Sequence, residues 1–162
     1  MFHRAANRPY IVRALTLGLA TGLRSQMANA ALALAHDDAP RSARWTGWIP
    51  FRWPLARKAM LLAAAGEIVG DKLPQTPSRI APKQLPGRIV FGAFAGAAAG
   101  SERKGVAPIM TGAALGGIGA LAGSFGGYHA RKWIVEASGV PDLPIAIVED
   151  VIAAAIAHQA AG

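Results

Sequence analysis

The chain has 162 residues, of which 52% are hydrophobic and only 16% are charged. Soluble domains carry about 25% charged residues, so this composition indicates a membrane protein with a single domain, residues 1–162. The net charge of +8 would favour nucleic-acid binding in a soluble protein. Between apolar helices we attribute that charge to lipid contacts and expect no nucleic-acid partner. The absence of cysteine excludes disulfides and thiolate metal sites.

The first apolar stretch covers residues 10–35 and is interrupted by Gly22 and Arg24. Either one long helix turns Arg24 toward protein, or the helix breaks at Gly22, as discontinuous helices do where backbone lines a cavity. A cleaved secretory signal is a third reading, because a basic start, an apolar run and the A-x-A motif at residues 28–30 resemble its three regions. We predict a first transmembrane span, continuous or broken.

An aromatic and basic segment follows at residues 37–55, where three of the four tryptophans alternate with arginines. Tryptophan rings prefer the headgroup layer, and arginine side chains extend toward lipid phosphates. Pro50 and Pro54 prevent a long regular helix here. The segment is therefore predicted to be a loop in the membrane interface.

The second apolar stretch, residues 55–72, carries two carboxylates, Glu67 and Asp71, four residues apart. On a helix they share one face. Carboxylates are expensive in hydrocarbon, so they form either a cation or proton site or a structural pair. The basic residues that could neutralise such a pair are Arg24, Lys72, Arg79 and Arg88.

Residues 73–87 contain four prolines and are predicted to be a connector rather than a helix. Within it Thr76, Ser78 and Arg79 offer two hydroxyls and a guanidinium. These groups would contact an anion or a lipid headgroup if the connector folds back into the helices. In a solvated loop they would have no role.

Glycines recur at intervals of four in the third and fourth stretches, residues 86–101 and 106–130. This spacing lets helix backbones approach closely in a membrane, within one chain or across a homodimer. No Lys-Ser or Lys-Thr pair follows the glycines, which excludes a phosphate-binding loop. The predicted packing residues are Gly92, Gly96, Gly100, Gly112, Gly116, Gly119 and Gly123.

The fourth stretch ends in aromatic and basic residues that include Arg131, an expected anchor at a membrane face. The fifth stretch, residues 144–161, contains Glu149 and Asp150. Asp150 shares a face with alanines, whereas Glu149 lies nearer the isoleucines, about 100° away. The histidines have no metal-ligand spacing, so we expect no metal and no cofactor.

Several motifs in this order resemble the bacterial membrane proteins grouped as domain of unknown function 4126. The match would cover about residues 12–160, and its most specific part is residues 66–79. The resemblance implies a small helical integral membrane protein, with no activity attached. The motifs that carry it are Gly66-Glu67, Asp71-Lys72-Leu73-Pro74, Thr76-Pro77-Ser78-Arg79, Gly126-Gly127-Tyr128, Arg131, Pro141-Asp142-Leu143-Pro144 and Glu149-Asp150.

These stretches together predict an all-α polytopic membrane protein with four to five transmembrane helices and Gly/Ala-rich packing faces, located in the bacterial inner membrane. With five spans, nine lysines and arginines fall on the N-terminal side and seven on the other. The positive-inside rule then favours a cytoplasmic N-terminus. Because the two counts are nearly equal, the sequence also fits dual topology with an antiparallel homodimer.

Three classes of function remain. The first is a transporter or channel for a proton, a cation or a small anion, using intramembrane carboxylates. The second is an architectural protein that dimerises through its glycine faces, and the third is a membrane enzyme acting on lipid. The apolar stretches contain carboxylates but the sequence has no recognised catalytic nucleophile, which favours the first two classes of function. The candidate site residues are Arg24, Glu67, Asp71, Arg79, Arg131, Glu149 and Asp150.

Overall fold

A computed structural model describes residues 9–70 and 80–162, so Asp71 and Arg79 lie outside the described residues. The described residues are helical and contain no strand, which confirms the all-α prediction. A 3-10 turn, Arg44–Gly47, precedes the third helix. The α-helices are α1 Tyr10–Leu23, α2 Met27–Ala35, α3 Ile49–Arg52, α4 Pro54–Gly70, α5 Leu85–Gly100, α6 Ala107–Ser138 and α7 Asp142–Ala161.

The first apolar stretch is a broken helix. Its two parts, α1 and α2, are separated at Arg24, whose backbone is extended with φ −141° and ψ 116°. The break leaves the carbonyl end of α1 and the amide end of α2 without partners inside either helix. Other groups must satisfy them in an apolar bundle, which makes this the most polar part of the fold.

α2 turns back from the break instead of extending α1. Arg88, near the start of α5, contacts the carbonyl oxygen of Gly22 at the break, and Phe94 lies about 9 Å further along α5. A chain of ring contacts joins His36, at the end of α2, to Phe94 through Trp45 and Phe51. The end of α2 therefore lies beside the middle of α5, so that α1 and α2 form a re-entrant pair.

Glycine packing holds α6 between α5 and α1. A Cβ atom added at any of the seven predicted packing glycines would lie between 2.1 and 2.6 Å from an atom of a neighbouring helix. Gly112 and Gly116 face α5, whereas Gly119 and Gly123 face α1. These faces are used inside one chain, so a dimer would need a different surface.

The two ends of the helical chain lie at the same end of the bundle. Arg13, in the first turn of α1, donates from Nε to the carbonyl oxygen of Ala160 at 2.9 Å and from Nη2 to that of Ala161 at 3.2 Å. It also pairs with Glu102 in the loop between α5 and α6. The start of α1, the end of α7 and the loop between α5 and α6 therefore meet at one end of the bundle.

α6 is longer than predicted and continues to Ser138 instead of ending near residue 130. The aromatic and basic residues at its expected end do not stop a helix. Gly139 does, because it adopts a left-handed conformation with φ 65° and its N–H caps the carbonyl oxygen of Val135. Among the described residues, α6 and α7 are the two helices long and apolar enough to cross a membrane, and α1 and α5 are shorter apolar helices.

The aromatic segment at residues 37–55 is only partly the surface loop that its sequence predicts. Trp45 is completely buried, as is Phe51, and Phe51 stacks on Phe94 of α5. Only Trp53 is largely exposed, at 57%. The prediction covers all three tryptophans alike, because a sequence pattern does not reveal which ring finds a tertiary partner.

An ion pair between Asp37 and Arg57 ties the end of α2 to the start of α4. Hydrogen bonds from His36 and then Arg57 hold the pKa of Asp37 below its ordinary value of 3.8. A lowered folded-state pKa means that the ionised Asp37 stabilises the protein above that value, and that this contribution is lost at lower pH. The stability advantage of the wild type over D37N is therefore expected to shrink from about pH 6 to about pH 3.

Thermal unfolding in detergent across this pH range measures the effect. The control is D38N, because Asp38 is also exposed and forms no ion pair with any described residue. A D37N protein with the same pH profile as the wild type would show that the pair contributes nothing to stability.

Candidate functional site

The polar groups of the helix break are satisfied by side chains from three other helices. The carbonyl oxygen of Gly22 accepts hydrogen bonds from Nη1 of Arg88, at 3.0 Å, and from the hydroxyl of Ser124, at 3.2 Å. On the other side of the break, the backbone N–H groups of Ser25 and Gln26 donate to the Glu67 carboxylate at 2.7 and 3.0 Å. The carbonyl end of α1 thus binds a cationic side chain and the amide end of α2 binds an anionic one, which is the pairing that the helix dipoles favour.

Glu67 and Arg88 also bind each other. Nη2 of Arg88 lies 3.1 Å from Oε1 of Glu67, and both side chains are mostly buried. Glu67 comes from the end of α4 and Arg88 from the start of α5, so the break fixes both helices. The Glu67 carboxylate thus accepts hydrogen bonds from two backbone N–H groups and from one guanidinium.

A second buried ion pair connects the break to α7. Arg24 pairs with Asp150, and the two side chains are only 1% and 10% exposed. Burial of either charge alone would be expensive, whereas a paired and hydrogen-bonded group is tolerated. Arg24, Glu67, Arg88 and Asp150 are called the break cluster below, and their formal charges sum to zero.

A third set of charges links the break cluster with the exposed end of α6 and α7. Arg131 binds Asp142 with its Nε 2.7 Å from Oδ1, and its Nη1 lies 3.6 Å from the carboxylate of Glu149. Glu149 is mostly buried, whereas Asp142 is exposed. Arg131 therefore ties α6 to both the start and the first half of α7.

The structure places the sequence-predicted residues in two groups. Arg24, Glu67 and Asp150 lie in the break cluster, while Arg131 and Glu149 lie between it and the surface. Asp71 and Arg79 belong to the undescribed part of the chain. The three predicted acids that the structure describes each pair with a different arginine: Glu67 with Arg88, Asp150 with Arg24 and Glu149 with Arg131.

Two contributors to the cluster are absent from the predicted site residues. Arg88 is predicted only as a counter-charge for Glu67, although an arginine two residues after Pro86, inside an apolar helix, is itself a signal. Ser124 belongs by sequence to a small-residue stripe. The hydroxyl of Ser124 donates to the Gly22 carbonyl oxygen that the helix break leaves free of helical partners. No local sequence pattern predicts this contact.

The cluster is suited to ion and proton chemistry rather than to metal binding. Within the described ranges, no group of three or more His, Cys, Asp or Glu side chains could hold a metal ion. Carboxylates that alternate with guanidiniums can exchange protons and partners without a cofactor. Comparison of the chain with family models, with curated proteins and with solved structures finds no match.

Proposed function

We propose that this chain is an inner-membrane protein with four passes, in which α4, α5, α6 and α7 cross the bilayer and α1 with α2 forms the re-entrant pair. Support comes from the lengths and composition of α6 and α7. Further support comes from Arg13, whose contacts place the start of α1 beside the end of α7, as an even number of passes requires. Membership of the family called domain of unknown function 4126 would agree with this proposal and stays a prediction.

The proposed activity is transport or conduction of a proton together with, or in exchange for, a small ion. The observation that carries it is the break cluster, where a discontinuous helix presents amide groups to Glu67 and a carbonyl oxygen to Arg88. Membrane transporters use such broken helices to bind ions at their unsatisfied helix ends. Charged residues between apolar helices are expensive and are otherwise avoided.

A specific exchange follows from the charges. Protonation of Glu67 would remove the negative charge that the N–H groups of Ser25 and Gln26 and the guanidinium of Arg88 contact. A small anion could then replace the carboxylate, so that a proton and an anion move together and the cluster stays neutral. A cation would instead compete with Arg88 for Glu67, which is the less favourable exchange because the two N–H groups repel it.

Flux into proteoliposomes tests this activity. Purified protein is reconstituted, and the uptake of protons, alkali cations and small anions is compared for the wild type, E67Q and D150N. We expect both variants to lose at least about tenfold in flux, since each removes a charge that the cluster needs. The matched control is E136Q, because Glu136 is an exposed carboxylate that pairs with Lys132 on the surface of α6.

An architectural role is the second candidate, and a specific observation favours it. Each charge of the break cluster has an oppositely charged partner, as in ion pairs that only hold helices together. Absence of flux for every ion tested, with all proteins folded, would reject transport in favour of this role. Catalysis on lipid remains the weakest proposal, since no described residue forms a recognised nucleophile pair.

A further inference from the structure

Four exposed basic side chains lie in and next to the aromatic segment. Arg41, Arg44, Arg52 and Lys58 are exposed, and none of them pairs with an acidic side chain of the described chain. Arg57 differs from them because it is bound to Asp37. Residues 36–58 contain five basic residues against two acids, which gives a net charge of +3. These four side chains are called the basic patch.

The backbone that carries the patch is fixed to the helical core. Trp45 and Phe51 are fully buried, and Phe51 stacks on Phe94 with ring centroids 5.5 Å apart. Trp48 packs on the same ring at 5.6 Å. The segment between α2 and α4 is therefore held in place by its aromatic residues, while its basic residues point away from the core. A fixed array of charges binds a partner with less loss of entropy than a mobile loop does.

Apolar side chains are exposed beside the basic patch. Ile49, Trp53 and Leu55 are 68%, 57% and 76% exposed. Basic residues next to exposed tryptophan and aliphatic residues are typical of a protein surface at the level of lipid headgroups. Exposed aliphatic side chains would contribute little to the binding of nucleic acid or of a soluble acidic protein.

The re-entrant pair determines on which side of the membrane the patch lies. Because α2 turns back, the patch lies on the same side of the break as Arg13 and the loop with Arg103 and Lys104. Eight of the described lysines and arginines lie at this end, against five at the break and beyond it. The positive-inside rule then places this end in the cytoplasm, next to the leaflet surface where anionic lipids give a negative potential.

We infer that the basic patch is a binding surface for anionic phospholipid headgroups in the cytoplasmic leaflet. The guanidinium groups bind the lipid phosphates, and the exposed apolar residues contact the upper part of the acyl chains. Each basic residue near such a surface strengthens the attraction to an anionic leaflet by about fivefold. The inference rests on the proposed membrane location but not on transport.

Quenching of tryptophan fluorescence by brominated lipids tests the inference. The full chain carrying W133F, which removes the exposed tryptophan at the far end of α6, is reconstituted in an equimolar mixture of phosphatidylcholine and phosphatidylglycerol. Either lipid is brominated in turn, and the ratio of the two quenching efficiencies reports the lipid next to Trp53. We expect phosphatidylglycerol to quench more strongly, and R44Q/R52Q to reduce the ratio severalfold toward one.

The control variant, R103Q/K104Q, removes the same number of charges at the same end of the bundle but outside the patch. It is expected to keep the wild-type ratio. Equal quenching by both lipids, or an equal loss of selectivity in the two double variants, would overturn the inference. Extraction of the protein from membranes by alkaline carbonate would instead reject the membrane location itself, and loss of flux in E67Q has no bearing on either result.

Discussion

Alanine in place of Gly116 is expected to destabilise the protein by about 3 kcal/mol, which is the upper range for overpacking a core. A Cβ atom at Gly116 would lie 2.1 Å from the carbonyl oxygen of Gly92 in α5. On the other side, the carbonyl oxygen of Gly116 is the group that a Cβ at Gly18 of α1 would meet at the same distance. Backbone atoms on both sides leave α6 no direction in which to move, so the three helices must separate.

Gly126 provides a matched control in the same helix. A Cβ atom there meets nothing within 4 Å, so G126A adds the same methyl group without a clash. Both substitutions raise helix propensity by about 1 kcal/mol, and any difference between them measures the packing. Thermal unfolding in detergent is expected to show a lower Tm for G116A and an unchanged or higher Tm for G126A. Equal stability of the two variants would show that the helices are not in close contact at Gly116.

The glycine spacing illustrates what the sequence does predict. A repeat of small residues on one helical face has the same meaning in every apolar helix, because only a smooth surface allows backbone contact. The spacing of the seven glycines is therefore sufficient to predict close helix crossings. Their partner could not be predicted, since the same smooth face fits a helix of the same chain or of a second copy.

The direction of α2 shows why the topology was harder to predict. A break near Gly22 is one of two interpretations of the sequence, but continuing and turning back have the same local pattern. The contacts that decide between them, such as Phe51 on Phe94, join residues more than forty positions apart. The number of membrane passes depends on the direction of α2 after the helix break. The side of the break on which the aromatic segment lies depends on it as well.

The sequence predicts which charged residues belong to the candidate site and offers several basic partners for Glu67, and the structure shows which of them pair. Glu67, Asp150 and Arg24 stand out in the sequence because ionisable groups are rare in apolar helices. Which acid meets which base depends on helix packing, and the pairing of Arg24 with Asp150 bridges more than a hundred residues. A role for Arg88 could have been predicted from its position in an apolar helix, but not its contact with Gly22.

Removal of one partner of the buried Arg24–Asp150 pair is expected to cost about 3–5 kcal/mol, because it breaks the ion pair while the other charge stays buried. We therefore expect R24M and D150L each to unfold at a much lower temperature than the wild type. The double variant R24M/D150L buries no charge at this position and should regain most of the loss. Stability of the four proteins in detergent forms a double-mutant cycle, with an expected coupling of at least about 2 kcal/mol.

The exposed pair Lys132–Glu136 gives the reference for this cycle. Its charges are 3.9 Å apart on the surface of α6, where solvent screens them, so the K132M/E136L cycle should show a coupling of less than about 0.5 kcal/mol. Similar coupling in both cycles would mean that the pair at the break is not buried in the folded protein.

The same double variant separates structure from function. If Arg24 and Asp150 only hold α7 to the helix break, R24M/D150L should recover flux along with stability. If the pair takes part in ion movement, the double variant should fold but remain inactive, since its neutral side chains can neither bind an ion nor exchange a proton. A stable and inactive R24M/D150L protein would therefore assign the pair to the transport pathway, an assignment that neither single variant can support because each also loses stability.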